Sequence, residues 1–225
     1  MRGGTWLALA VVVAALAGSA AIGRHLAAHG PGELTVADPP GAGVLRLHAL
    51  GDRQAAFRAH ALRLQHLGNL GGRIVPYKDI DYPGVAAWFR TLDRLDARAD
   101  VVPSTAALLY GNTQTPGELR PIVRYLAEHA RRAPARKWRW MAHAIYLARH
   151  RMDDGELALK LARELRAFDA ETIPGWARHM EVIVLADVGR ERAARALVTR
   201  LLRDGEDLTP AERRWLKFYL ARQLK

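Results

Sequence analysis

The feature that most constrains this chain is an internal repeat of 36 residues. Trp140 and Trp176 stand 36 positions apart, and the residues that follow each of them keep the same register. The matched pairs include His143 with His179, Ala158 with Ala194, and Leu165 with Leu201. A period of roughly 20–50 residues is typical of an array of units that bury their apolar faces against their neighbours. The spacing therefore predicts two helix-turn-helix units, an architecture that binds or scaffolds more often than it catalyses.

The register also extends upstream and predicts an all-α fold. Moving it back by one period pairs Tyr110 with Tyr146 and Ile122 with Ala158, which indicates a third, earlier unit. Apolar spacing and capping residues predict helices near 83–97, 103–111, 117–132, 136–151, 155–168, 174–187, 190–203 and 209–223. No segment alternates between apolar and polar residues over the length of a strand, so we expect no sheet.

The N-terminal segment predicts insertion into a membrane. From Gly3 to Gly23 there is no charged residue, and the segment is almost wholly apolar. At about 1.5 Å per residue, a helix of this length is roughly 31 Å long, enough to cross the hydrocarbon core of a bilayer. We therefore predict a transmembrane signal-anchor helix in residues 1–29. The alternative is a cleaved secretory peptide, with the cleavage site at 15–17 or 19–21.

Both alternatives place the rest of the chain across the membrane. Arg2 and the free amine favour a cytoplasmic N-terminus, and richness in Ala, Arg and Leu is typical of bacteria with G+C-rich genomes. We therefore predict a single-pass protein of the bacterial inner (cytoplasmic) membrane with a periplasmic C-terminal domain. The chain has no cysteine, which excludes disulfides, thiolate metal ligands and a cysteine nucleophile.

Four segments follow from composition and patterning. Residues 1–29 form the anchor, the Gly- and Pro-rich residues 30–44 a linker, residues 45–82 a helical adaptor segment with a loop, and residues 83–225 the repeat domain. Leu45–Leu67 shows the pattern of one helix. Three later helix starts carry an N-cap oxygen three residues before a glutamate. These are Thr115 with Glu118, Asp153 with Glu156, and Thr209 with Glu212.

The units resemble tetratricopeptide repeats over roughly residues 83–225. A large aromatic residue, Trp140 or Trp176, occupies the first helix of each unit. Small residues occupy the second helix, at Ala158 and Ala162 and again at Ala194 and Val198. The period of 36 departs from the family's usual value of about 34, and Met180 replaces a usual small residue.

The whole chain is also similar to a group of bacterial proteins with an N-terminal membrane helix and a divergent repeat domain. Residues 50–68, 81–110 and 176–202 carry this resemblance. It implies a membrane-attached helical scaffold and transfers no activity.

Positive charge is concentrated in one segment. Between Arg120 and Arg151 there are nine basic residues and one acidic residue, Glu128, so the segment holds most of the chain's net charge of +11. Cations interleaved with tryptophan suit an anionic lipid surface, and they predict a basic ridge; its residues are Arg131, Arg132, Arg136, Lys137 and Trp138. Alternatively, these residues form a solvated helix face. The same mixture suits nucleic acid, which we do not expect an exported domain to meet.

A polar strip is the second candidate surface. Spacings of 4, 3 and 4 put Arg139, His143, Tyr146 and His150 on one side of a helix, and the repeat register adds Tyr110 and His179. On a concave face these residues would bind a protein partner. The alternative is that they are partly buried packing residues.

No motif in the sequence predicts catalysis, a cofactor or a metal site. His143 and His150 are two helical turns apart, too far to hold one metal ion without further ligands. Paired acids occur in contexts that turns and caps explain. We therefore predict a membrane-anchored, non-enzymatic scaffold or adaptor that binds proteins on the extracytoplasmic face. The alternative is an accessory structural subunit of a larger membrane complex, and a third hypothesis is an extracytoplasmic hydrolase.

Overall fold

A computed structural model describes residues 3–28, 35–72, 74–204 and 208–223, and these residues form an all-helical protein with no strand. The predicted fold class is confirmed to that extent. Twelve α-helices occur in it: α1 (Gly3–Ala28), α2 (Ala42–His48), α3 (Arg53–Gln65), α4 (Tyr82–Leu95), α5 (Val101–Ser104), α6 (Leu119–Arg131), α7 (Pro134–His150), α8 (Gly155–Ala167), α9 (Gly175–Arg178), α10 (Met180–Asp187), α11 (Glu191–Asp204) and α12 (Pro210–Arg222).

Short segments of other helical types connect these helices. A π-helical turn, Thr105–Leu109, continues α5 directly and is followed by a 3₁₀ turn, Tyr110–Asn112. We call the continuous element from α5 through this turn the 101–112 segment. Further 3₁₀ turns lie at Leu67–Gly72, Tyr77–Asp79 and Pro116–Glu118.

One of the three predicted N-caps has the predicted form. Thr209 and Glu212 make a reciprocal capping box at the start of α12. At α8 the capping residue is Asp154, which accepts from the backbone N–H of Leu157, whereas Asp153 has a positive φ of 54°. Thr115 makes no side-chain cap. Neighbouring acidic residues compete for a cap position, and local backbone geometry decides between them.

The single helix predicted over Leu45–Leu67 is wrong. The structure divides this segment into α2 and α3, because Leu50 and Gly51 both adopt positive φ angles, of 55° and 87°. Helical residues have negative φ, so the chain must turn there. Asp52 then caps α3 by accepting from the backbone N–H of Ala55 at 3.0 Å.

Helix α1 presents apolar side chains to solvent. Side chains are described in it for Trp6, residues 11–22 and Arg24, and all of them are exposed. Among the residues that the structure describes, no helix is both long enough and apolar enough to cross a membrane. The transmembrane segment predicted in residues 1–29 stays a prediction.

Residues 35–44 of the predicted linker are described; residues 42–44 belong to α2, and the stretch around Val36 and Ala37 lies against α4. The indole N–H of Trp88 donates to the carbonyl of Ala37 at 2.8 Å, and Val36 is buried. Gly84 allows this approach, because a Cβ atom there would lie 2.9 Å from the carbonyl oxygen of Val36. Part of the predicted linker is therefore tied to the domain.

The second helix of each unit keeps the 36-residue register. Ile122 on α6, Ala158 on α8 and Ala194 on α11 are fully buried, and so are the corresponding Leu126, Ala162 and Val198. Between them, α6 packs on α7, α7 on α8, α8 on α10 and α10 on α11. Each helix thus shares its buried face with the next one along the chain, as expected for a stacked array.

Ion pairs between units follow the same period. Seven of them join residues that are 33 to 39 positions apart. They are Arg90–Glu128, Asp93–Arg132, Asp100–Arg139, Arg120–Asp154, Arg131–Glu164, Arg149–Asp187 and Glu156–Arg190. These pairs connect α4, or Asp100 immediately before α5, to later units, and each later unit to the next. We call them the inter-unit ion pairs.

The pair at Asp93 is the buried one. Its carboxylate is fully buried and accepts from Tyr125 Oη at 3.1 Å and from Arg132 Nη1 at 2.6 Å. His129 Nδ1 lies 2.7 Å from the same carboxylate, while its Nε2 has no partner within the described residues. The Asp93 carboxylate on α4 therefore contacts Tyr125 and His129 on α6, and also Arg132, the C-cap residue of that helix.

We expect Asp93→Asn to destabilise the protein by roughly 3 kcal/mol, because it removes the counter-charge of Arg132 and disturbs the hydrogen bonding of the buried Tyr125 and His129. The measurement is the free energy of unfolding of the full-length chain in urea, followed by circular dichroism. Asp100→Asn is the matched control, since its ion pair with Arg139 has the same spacing but is about half exposed on both sides. We expect it to cost about 1 kcal/mol or less. Equal losses from the two substitutions would contradict the role assigned to Asp93.

Candidate partner-binding groove

A groove runs across the first helices of three successive units. It lies between the 101–112 segment, α7 and the α9–α10 pair, and has a volume of about 640 Å³. Large side chains dominate its walls; they include Leu108, Trp138, His143, Tyr146, Trp176 and Met180. These elements face the groove because the second helices lie behind them and share the buried core.

Helix α7 supplies half of the predicted polar strip to the groove. Arg139, His143 and Tyr146 all line it, at spacings that place them on one face of the helix. His150 is exposed and is not among the lining residues, although its ring lies 5.1 Å from that of Tyr146. The structure therefore brings together three of the four residues that the spacing selected on this helix.

Tyr110 is buried in the core and does not line the groove. Its hydroxyl donates to the carbonyl of Leu64 at 2.7 Å, and the rings of Tyr82 and Phe89 pack edge-on against it. The π-helical turn before it explains the difference, because i→i+5 bonding adds a residue to the turn and rotates the side chains that come after the turn. Leu108, which is 60% exposed, takes the place in the groove wall.

His179 is also buried and lies outside the groove. Its ring stacks on that of Trp215, with centroids 5.9 Å apart and planes at 4°. Helix geometry is interrupted at this residue, which separates α9 from α10. The matching first helix of the preceding unit, α7, is continuous. Equivalent sequence positions therefore point in different directions in the two units.

The two tryptophans that define the repeat have different environments. Trp140 is 5% exposed and donates from its indole N–H to Asp100 at 3.3 Å. Trp176 is 58% exposed, lines the groove and packs edge-on against Trp138 at 5.5 Å. The repeat register gave the two tryptophans equivalent positions in the first helices and did not identify Trp176 as a groove residue. A usable signal was the Pro174-Gly175 pair before Trp176, which the first unit lacks.

The groove is electropositive. Arg139 and Arg151 line it, and none of its described lining residues is acidic. Arg151 is held in place by donating to the carbonyls of Asn112 and Thr113 at 3.1 and 2.9 Å. Arg139 lies 3.4 Å from the exposed carboxylate of Asp100. The site therefore offers aromatic and aliphatic surface beside two cations.

Two of the four cations of the predicted basic ridge are paired with acids. Arg131 pairs with Glu164 and Arg132 with Asp93, while Trp138 lies in the groove wall. Their acidic partners come from 33 and 39 residues away, so the local charge count did not include them. Arg136 is exposed, and Lys137 is buried. These five residues therefore do not form a continuous row of solvated cations.

The comparisons with known proteins found no matching family model, curated protein or solved structure. Within the described part of the chain, no three histidine or acidic residues are grouped closely enough to hold a metal ion. The proposed function therefore rests on the groove itself.

Burial of two histidines makes the protein sensitive to acid. It lowers the pKa of His143 below the usual value of 6.5. Burial also lowers the pKa of His179, an effect that the charge of Glu212 opposes and that of Arg178 reinforces. Below pH 6.5 the unfolded chain then binds more protons than the folded protein, so stability is full above that pH and falls as the pH drops toward the lower folded-state pKa.

We expect the melting temperature of the full-length chain to fall as the pH is lowered from 8 through 6.5 to 5.5, and His179→Gln to reduce that fall. The substitution removes one of the buried groups that must take up a proton on unfolding. Thermal unfolding followed by circular dichroism measures both effects. Each protein is compared with its own melting temperature at pH 8, where His179 of the unmodified chain is neutral in both the folded and the unfolded state. Identical pH slopes for the two proteins would contradict the assignment to His179.

Proposed function

We propose that this chain is a non-enzymatic helical-repeat adaptor that holds a segment of a partner protein in the groove and is attached to a membrane through α1. The helical hairpins, with small residues such as Ala158 and Ala194 at their buried contacts, support a divergent tetratricopeptide-like array. In such arrays the first helices line the surface that receives a ligand. The groove of this protein lies on that side.

The observation that carries the proposal is the exposure of large apolar side chains from three units on one surface. Leu108, Tyr146 and Trp176 are each more than half exposed and line the same groove. Large apolar side chains clustered on a soluble surface mark binding sites, because their hydration is unfavourable. A partner that covers them would bury aromatic residues, which supply most of the binding energy in protein interfaces.

The charge of the groove selects the chemistry of the partner. Arg139 and Arg151 flank the apolar surface without an acidic neighbour in the lining. A segment that carries an aromatic or aliphatic side chain and a carboxylate satisfies both features, since a guanidinium pairs with a carboxylate in a bidentate manner. The volume lies within the roughly 300–1,000 Å³ range of compact ligand sites, so it admits a few side chains and not a folded domain.

The membrane attachment rests on the first 28 residues. Val11, Leu16 and Ile22 on α1 are more than half exposed, and the uncharged run around them in the sequence is long enough for a bilayer. Insertion of this helix would remove those side chains from water. It would hold the adaptor at the extracytoplasmic face of a bacterial inner membrane, close to membrane-protein partners.

We expect peptide display on the full-length chain to enrich sequences that combine a carboxylate with an aromatic or large aliphatic residue. The affinity of a selected peptide should fall at least about tenfold in Trp176→Ala and in Arg139→Glu, which is a loss of about 1.4 kcal/mol or more. Isothermal titration calorimetry measures the affinities.

Matched controls separate the groove from general surface effects. Phe218→Ala removes a similarly exposed aromatic residue on α12, and Arg124→Glu reverses an exposed charge on α6; neither residue lines the groove. Both should bind the peptide like the unmodified chain. If no common motif is enriched, or if Phe218→Ala weakens binding as much as Trp176→Ala, the groove is not the binding site.

The role of α1 is tested by membrane extraction and by replacement of the segment that contains it. We expect the full-length chain to remain in the membrane fraction after alkaline carbonate extraction, because an inserted helix resists this extraction. A chain without residues 1–29 should be recovered in the soluble fraction. Quantitative release of the full-length chain would refute the attachment.

A second experiment replaces residues 1–29 by an unrelated single-pass segment. Retained peptide binding and partner assembly then support the adaptor. Loss of assembly with retained peptide binding supports the alternative, an accessory subunit whose own helix packs within a complex.

A further inference from the structure

We propose that a second pocket, at the N-terminal end of α7, binds the phosphate group of an anionic ligand. The pocket lies on the turn before α5 and the first turn of α7, with a volume of about 390 Å³. Its polar lining residues are Arg98, Asp100, Arg136, Lys137, Arg139 and Thr172. This pocket is distinct from the groove, although Trp138 and Arg139 line both.

The central observation is a lysine whose stem is buried and whose ammonium group has no partner among the described residues while keeping access to solvent. Lys137 is only 5% exposed, and its amine makes no hydrogen bond or ion pair within the described residues. Burial lowers the pKa of Lys137, while the charge of Asp93 opposes that shift. A long cationic side chain can bury its stem against apolar surface while its charged end stays at the surface, where it can meet an anion. Lys137 lines the pocket, so an anion in the pocket would supply the missing partner.

The surrounding charges favour an anion as well. Four cations line the pocket, against the single carboxylate of Asp100. That carboxylate is engaged already, with Arg139 at 3.4 Å and with the indole N–H of Trp140 at 3.3 Å. Arg98 and Arg136 are exposed and have no side-chain partner in the described part of the chain. Several cations therefore remain available for one ligand.

The helix itself contributes to the site. Helix α7 has 17 residues, and its N-cap residue, Ala133, provides no side-chain cap. The N-terminal end of a helix carries a partial positive charge and favours anions. Thr172 donates its hydroxyl to the carbonyl of Ala135, which ties the wall of the pocket to this first turn. A phosphate monoester, with several acceptor oxygens and up to two charges, matches such a set of donors.

The phosphate group has two sources, a lipid headgroup or a free phosphate. We therefore test the group in both forms, with inorganic phosphate and with short-chain dihexanoyl phosphatidic acid. Thermal unfolding of the full-length chain in non-ionic detergent is the readout. Sodium chloride at matched ionic strength is the reference, because it removes general screening effects. A ligand that binds only the folded protein raises the melting temperature with its concentration.

We expect phosphate or the phosphatidic acid to raise the melting temperature, and Lys137→Met to weaken the apparent affinity at least tenfold. Methionine keeps the stem of the side chain and removes the charge, so the variant should fold without ligand. Arg136→Gln is a second variant at an exposed position and should weaken binding several-fold. Arg124→Met, which removes an exposed arginine outside the pocket, should respond like the unmodified chain.

The outcomes separate the sources. A response to both ligands means that the phosphate group is recognised in either form, whereas a response to one alone assigns the source. The proposal is overturned if neither ligand stabilises the protein beyond chloride. It is also overturned if both pocket variants respond like the unmodified chain, or if Arg124→Met loses as much affinity as they do. None of these results depends on whether the groove binds a peptide.

Discussion

The need of each helical hairpin to bury its apolar face on the next one is the constraint on which the structure depends. Ile122, Ala158 and Ala194 lie 36 positions apart and are all excluded from water. An apolar helix face of this size cannot remain exposed, because burial of such surface is the main favourable term in folding. The second helices meet this requirement. The first helices are then free to depart from regular geometry, and both candidate binding sites lie there.

The inter-unit ion pairs follow the same period, so the charge distribution in space differs from the one along the sequence. A segment that is strongly basic in the sequence is paired in space with acids from neighbouring units, such as Glu164 with Arg131 and Asp187 with Arg149. Most of these pairs are partly exposed and contribute little stability individually. Their regular spacing favours one register of the array, since a shifted unit would separate the paired charges. Asp93 differs because its carboxylate is wholly buried.

Periodicity predicted the helices and the second-helix core well, and it failed where backbone geometry departs from the α-helix. Leu50 with its positive φ, the π-helical turn before Tyr110 and the interruption at His179 are local choices that tertiary packing makes. None of them leaves a clear pattern in a single sequence. The groove residues on the regular helix α7 were therefore predicted, whereas Tyr110 and His179 were assigned to a surface that they do not reach. Lys137 was predicted as part of a solvated ridge, because burial of a lysine depends on neighbours distant in sequence.

The irregular first helices also explain why two pockets with different chemistry lie side by side. Trp140 lies on the continuous helix α7, is buried and donates to Asp100, whereas Trp176 lies on the short helix α9, which ends at Arg178. The interruption leaves Trp176 against Trp138 in the groove wall, and Trp138 also borders the cationic pocket at the start of α7. A single helix thus presents Arg139, His143 and Tyr146 to the groove, and Lys137 to the pocket at its own N-terminal end. An occupant of either site would contact Trp138, because this side chain forms part of both walls.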